Sequence, residues 1–154
     1  MRSVGSYCFY RLFYNCKNIS NCRSLTLPAT TLADSCYSNM FNGCTSLTAA
    51  PTLQATTLAN YCCSEMFNGC TSLTAAPTLP ATTLASNCYS NMFYGCSSLT
   101  QAPALPATTL AGNCYSGMFS GCPKFSDCHM KASMEGVYDT STHGDTSKTV
   151  IYDL

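Results

Sequence analysis

A block of 26 residues starts again and again along this chain, and that period constrains the fold more than any other feature. Cys36-Tyr37-Ser38-Asn39-Met40-Phe41-Asn42-Gly43-Cys44 returns as Cys62-Cys63-Ser64-Glu65-Met66-Phe67-Asn68-Gly69-Cys70, then from Cys88 and from Cys114. A period of roughly 20 to 50 residues marks a stack of units, each needing its neighbours to bury its apolar face. Residues 8–16 keep the same Cys-x7-Cys frame with Leu12 in the place of Met and form a first, degenerate copy. Three divisions follow: 1–35 as a degenerate N-terminal rung and cap, 36–122 as regular repeats, and 123–154 as a C-terminal capping segment.

Each unit reads in three parts. In the first, the two Cys and the Met fall at i, i+4 and i+8 with Tyr and Phe beside them, a spacing that predicts a short amphipathic helix of about two turns. Asp34 and Ser35, Asn60, Ser86 and Asn87, or Asn113 stand where an N-cap is wanted, and Gly43, Gly69, Gly95 and Gly121 stand where the helix would stop. The second part, Ser-Leu-Thr-Ala-Ala-Pro, is too short for a helix and predicts a brief extended segment stacked in parallel, with Leu47, Leu73 and Leu99 inward. The third, Leu-Pro-Ala-Thr-Thr-Leu, adds further inward Leu positions such as Leu79 and Leu84.

The resulting expectation is an α/β repeat solenoid of about five rungs, with short helices on one side and short parallel strands on the other. The tail breaks the period. Val137-Tyr138 and Thr149-Val150-Ile151-Tyr152 favour strands and are separated by His143-Gly144-Asp145, which predicts a β-hairpin closing the stack.

Only 9 % of the residues are charged, the formal net charge is zero, and Glu65 is the one charge between Cys36 and Cys122. Nucleic acids and anionic membranes need clustered Lys and Arg, so neither is an expected partner. No apolar run reaches the length of a membrane span, and residues 1–16 have no continuous apolar core of a secretory signal. Export by that route would therefore require a segment removed from this chain.

Leu79-Pro80-Ala81-Thr82-Thr83-Leu84, followed by Met92-Phe93-Tyr94-Gly95-Cys96-Ser97-Ser98-Leu99-Thr100, resembles the BspA-type leucine-rich repeats of bacterial surface proteins. The likeness covers roughly residues 7–125. It implies a leucine-rich-repeat-like fold and a secreted or cell-surface adhesion protein that presents a solenoid face to a protein or glycan on a host or another microbe. The unit here is longer than the family's commonest form, with Ala49-Ala50-Pro51 and its equivalents where Ile and Val often hold the strand.

Thirteen cysteines admit three readings: a disulfide framework, a metal site, or thiols used as small core residues. Pairing within a unit conflicts with the expected helix, which would hold the two Cα atoms about 12 Å apart, whereas a disulfide needs them within about 7 Å. Bridges between rungs stay open as an alternative. No Cys-x2-Cys pair occurs, so the expectation is no metal and no cofactor, with Cys122, Cys128 and His129 at most half of a site. Cys128 beside His129 is the sole candidate nucleophile pair, and neighbours on a strand point to opposite faces, so no enzyme is expected.

What remains is a noncatalytic protein-binding or adhesion module, with a structural spacer in a longer surface protein as the alternative. Helices take more room than strands, which would make the strand side concave. The contact residues expected on that face are Thr48, Thr74, Thr100 and Gln101.

Overall fold

The computed structural model describes residues 3–131 and 149–152. Among these residues there is no helix, and the regular elements are four short parallel-paired strands: β1 (Thr26–Leu27), β2 (Thr52–Leu53), β3 (Asp127–Met130) and β4 (Thr149–Tyr152). The expected α/β solenoid of five rungs with helices facing strands is thereby overturned, and with it the leucine-rich-repeat architecture that the resemblance implied. The inference of a concave strand side goes too, since it required helices.

Residues 36–44 show what replaces the helix. Ser35, Asn39 and Gly43 all have positive φ, at 56°, 57° and 77°, and a backbone that enters the left-handed region every fourth residue cannot propagate an α-helix. Instead the segment is a chain of overlapping β-turns. Ser38 N–H donates to Ser35 O at 3.2 Å, Met40 to Tyr37 at 3.2 Å, Asn42 to Asn39 at 3.2 Å and Cys44 to Phe41 at 3.0 Å. The N–H groups in between turn outward to the next copy: Tyr37 donates to Cys62 O at 2.8 Å, Asn39 to Ser64 at 2.9 Å, Phe41 to Met66 at 2.9 Å and Gly43 to Asn68 at 2.8 Å. Donors therefore alternate between closing a turn within a layer and tying that layer to its neighbour. Every one is satisfied, as buried backbone requires.

The same turn ribbon recurs at residues 62–70 and 88–96, with positive φ at Tyr61, Glu65 and Gly69 and at Asn87, Asn91 and Gly95. Gly and Asn enter this region at little cost, whereas Tyr61 and Glu65 occupy it against their intrinsic preference. Gly95 sits with its would-be Cβ 3.9 Å from Gly69, an ordinary contact, so the penalty of Gly95→Ala is conformational. We expect that variant to lose about 1–2 kcal/mol in denaturant unfolding, while Asn91→Gly should be near neutral or stabilising.

Rows of equivalent residues line the interior. Phe13, Phe41, Phe67, Phe93 and Phe119 stack with ring centroids 5.3, 5.5, 5.6 and 6.1 Å apart, the middle pairs nearly coplanar at 5° and 2°. Met40, Met66, Met92 and Met118 form a second buried row, and Leu47, Leu73 and Leu99 a third.

Elsewhere the layers touch through isolated parallel bridges, Asn21↔Ala49↔Ala75, Thr31↔Thr57 and Thr83↔Thr109, and through the two-residue pair β1–β2. Parallel bridging thus occurs inside the Ser-Leu-Thr-Ala-Ala-Pro segment, at Ala49 and Ala75, while the two-residue strand pair falls just after it, at Thr26–Leu27 and Thr52–Leu53. Longer strands do not form because Pro51, Pro77, Pro80 and Pro103 have no N–H to donate to a ladder.

At the C-terminal end β3 continues the row of Leu105, which bridges to Met130. β3 pairs with β4 in parallel, Asp127 opposite Thr149 and Met130 opposite Tyr152. The pairing of β4 that the structure describes is thus with β3 and parallel, a partner the sequence did not suggest. The other expected hairpin strand, at Val137 and Tyr138, lies outside the described residues.

Candidate functional site

Ten of the thirteen cysteines occupy two repeated positions of the unit, the first at Cys8, Cys36, Cys62, Cys88 and Cys114 and the second at Cys16, Cys44, Cys70, Cys96 and Cys122. Cys44, Cys70, Cys96 and Cys122 each donate an S–H to the carbonyl of a phenylalanine one layer back: Phe13 at 3.0 Å, and Phe41, Phe67 and Phe93 at 3.1 Å each. Those carbonyls at Phe41, Phe67 and Phe93 already accept the N–H of Cys44, Cys70 and Cys96 that closes a turn, so the thiol uses their second lone pair. A position that must be small, apolar and still a weak donor is one that cysteine fits better than alanine or serine.

Burial pushes the Cys44 thiol up to about 11 and the Cys36 thiol up to about 12, and raises Cys70, Cys88 and Cys96 as well. Thiolate is the nucleophile, so thiols held protonated in this way serve as packing groups.

One unit departs from the pattern. Cys63 stands where the others have Tyr37, Tyr89 and Tyr115, and it shares a side-chain hydrogen bond with Cys62. That bond, together with complete burial, holds the Cys63 thiol well above its ordinary value. Among the described residues no group of three or more His, Cys, Asp or Glu side chains is placed to hold a metal. Cys128 is buried on β3 while its neighbour His129 is exposed, so the two residues of the candidate nucleophile pair face opposite ways.

The four residues expected to bind a partner lie exposed along one side, but their surroundings differ. The Thr48 hydroxyl donates to Ser20 O at 2.7 Å, and the Thr100 hydroxyl donates to Thr74 O at 3.2 Å. Both also send their backbone N–H to the same carbonyls, which makes each threonine a clamp between layers. Thr74, Thr100 and Gln101 share a small depression of about 160 Å³. Thr100 and Gln101 also line a larger cleft of about 550 Å³ whose far wall is Phe125, Ser126, Asp127 and His129. Thr48 lines neither.

Spacing arguments missed the contribution of β3, because the tail lies outside the repeat and only the parallel register brings His129 beside the Leu105 row. An apolar cavity of about 660 Å³ opens at the first layer between Phe9, Leu12, Phe13, Leu25 and Leu27. It extends the core rows and gathers no set of polar groups that would orient a ligand.

A second polar groove runs along the turn ribbon. Its floor is the row Ser38, Ser64 and Ser90, and Tyr7 and Tyr61 stand at its edge. No helix among the described residues is long and apolar enough to cross a membrane. No protein-family model, curated protein or solved structure matches this chain.

Proposed function

We propose that the chain is a noncatalytic module that binds a protein partner through the cleft containing Thr100 and Gln101. The observation that carries this reading is the makeup of that cleft. About 550 Å³ of concave space combines an amide, a hydroxyl, the ring of Phe125 and the ionisable pair Asp127 and His129. Shape, a few fixed polar groups and an apolar anchor are what recognition sites share. An adhesive role at a cell surface, exposed to a host or to other microbes, is what the resemblance to bacterial surface repeats adds.

The test measures binding of the labelled chain to intact epithelial and bacterial cells, with Gln101→Ala, Thr100→Val and a Gln101→Arg variant beside the parent. Gln101→Arg should reduce saturable binding at least about tenfold, a loss of roughly 1.4 kcal/mol, with an unchanged melting temperature. Undiminished binding by that variant would remove the cleft from consideration. The alternative, a structural spacer, is favoured by the Thr48 and Thr100 hydroxyls being committed to layer-to-layer bonds. It would be preferred if the parent chain itself bound neither cell type.

A further inference from the structure

We propose that the groove along the turn ribbon is a separate binding site for a neutral saccharide. Its volume is about 430 Å³, room for one or two sugar rings and within the range of small-molecule sites. One position on the groove departs from the repeat. At the position where the first and third layers carry Tyr7 and Tyr61, the second carries Ser35. Tyr7 is 62 % and Tyr61 49 % exposed, while Ser35 between them is 9 % exposed. Two layer spacings put the tyrosines about 10 Å apart, with the small Ser35 between them, and Tyr10, packed edge-to-face on Tyr7 at 5.5 Å, lines the same groove.

The polar groups at the base of the groove are incompletely used. The Ser35 hydroxyl has no hydrogen-bond partner among the described residues. Ser38 and Ser90 accept from the amides of Asn39 and Asn91 at 3.0 and 3.4 Å, which leaves their own O–H groups without an acceptor among the described residues. Buried polar groups in native proteins are normally satisfied, and those that are not point to a missing partner. These O–H groups are placed to donate to the oxygens of a ligand seated in the groove.

The far wall supplies the complementary chemistry. Glu65 Oε2 accepts only long bonds from Asn42 and Asn68, at 3.4 and 3.5 Å, and retains acceptor capacity for a ligand hydroxyl. Aromatic faces, an array of hydroxyl and amide groups and one carboxylate match a ring that is apolar on its faces and hydroxylated at its edge. Tyrosine suits such a ligand because its ring is apolar and its hydroxyl remains wet. An anionic ligand would meet Glu65, whereas a neutral sugar would not be penalised.

The experiment is calorimetric titration of the full chain with neutral di- and trisaccharides: cellobiose, maltotriose, lactose, mannotriose and di-N-acetylchitobiose. At least one should bind saturably. Tyr61→Ala and Tyr7→Ala should each weaken that binding about fivefold to tenfold, Tyr61→Phe should keep most of it, and Glu65→Gln should weaken it without altering thermal unfolding. Both tyrosines are exposed, so their truncation does not threaten the fold. Failure of every sugar to saturate would overturn the proposal, as would full affinity in Tyr61→Ala. Tighter binding of choline than of any sugar would also overturn it, since tyrosines around Glu65 would then be acting as a cage for an ammonium group. Gln101→Arg should leave the sugar titration unchanged, which separates this site from the cleft proposed above.

Discussion

Phe67→Ala should be the most damaging single substitution in the chain, lowering stability by about 3–5 kcal/mol. The ring is fully buried, and it stacks on Phe41 at 5.5 Å and on Phe93 at 5.6 Å. Its removal opens a cavity between two layers, and neither can settle toward the other without breaking the bonds from Phe41 N–H to Met66 O and from Phe67 N–H to Met92 O, both 2.9 Å. The site therefore relaxes little, which puts the cost toward the upper end of the usual range. For a chain of this size that is a fall in melting temperature of roughly 10 °C or more. Phe13→Ala, at a partly buried end of the same row, should cost less than half as much. Chemical denaturation of the two variants beside the parent checks both numbers. Equal losses would mean that the row does not bear the stability assigned to it.

Raising the pH should unfold the protein, and the second prediction follows from the protonated thiols. The ordinary thiol value is 9.0, while burial lifts Cys44 to about 11 and Cys36 to about 12, and raises Cys70, Cys88, Cys96, Tyr37, Tyr89 and Tyr115. Above pH 9 the unfolded chain releases protons that the folded chain keeps, so the free energy of unfolding falls with rising pH. Each such group contributes up to about 1.4 kcal/mol per pH unit until its folded value is reached. Below the unfolded value these groups contribute their full stabilisation, so the melting temperature should be level from about pH 6 to 8 on their account.

Several groups act together, and unfolding should be complete before pH 12. Thiolate absorbance from the ten buried cysteines, read in a variant with Cys8, Cys16 and Cys22 replaced by serine, should appear in one cooperative step coincident with loss of the circular dichroism signal. Gradual thiol titration near pH 9 in a protein that stays folded would show that the sulfurs are wet and that the buried rows are wrong.

The helix expected at residues 36–44 and the turn ribbon observed there explain how far the fold was legible. Cys36, Met40 and Cys44 recur every fourth residue, a spacing that one face of a helix and a four-residue turn repeat both satisfy. The pattern of apolar residues alone does not separate them. The discriminating residues were the others: Asn39 and Gly43, Asn87, Asn91 and Gly95, and Asn113, Gly117 and Gly121 also recur at intervals of four. A helix places one capping Asn before it and one Gly after it, whereas Gly and Asn throughout its length are the residues a series of positive-φ turns requires. Reading Gly43, Asn87, Gly95, Asn113 and Gly121 as caps concealed the ribbon. Tyr61 and Glu65 obscured it further, since neither residue favours that conformation.

The candidate binding residues were legible in part for a different reason. Thr48, Thr74 and Thr100 could be placed on the exposed side because they follow the inward leucines 47, 73 and 99. What lies opposite them could be read only as far as Phe125, which stands 26 residues after Leu99, because His129 comes from a tail with no period.

The amino-acid sequence by itself determined the period of 26, the near absence of charge, and the places where the backbone could turn left-handed, because these depend only on residue identity and order. Only the tertiary structure decided where alternate N–H groups went. Tyr37, Asn39, Phe41 and Gly43 have no acceptor within their own unit, and a helix would have given them one. Their partners lie a full unit further along the chain, so the ribbon becomes the better solution only once a second layer is already in place.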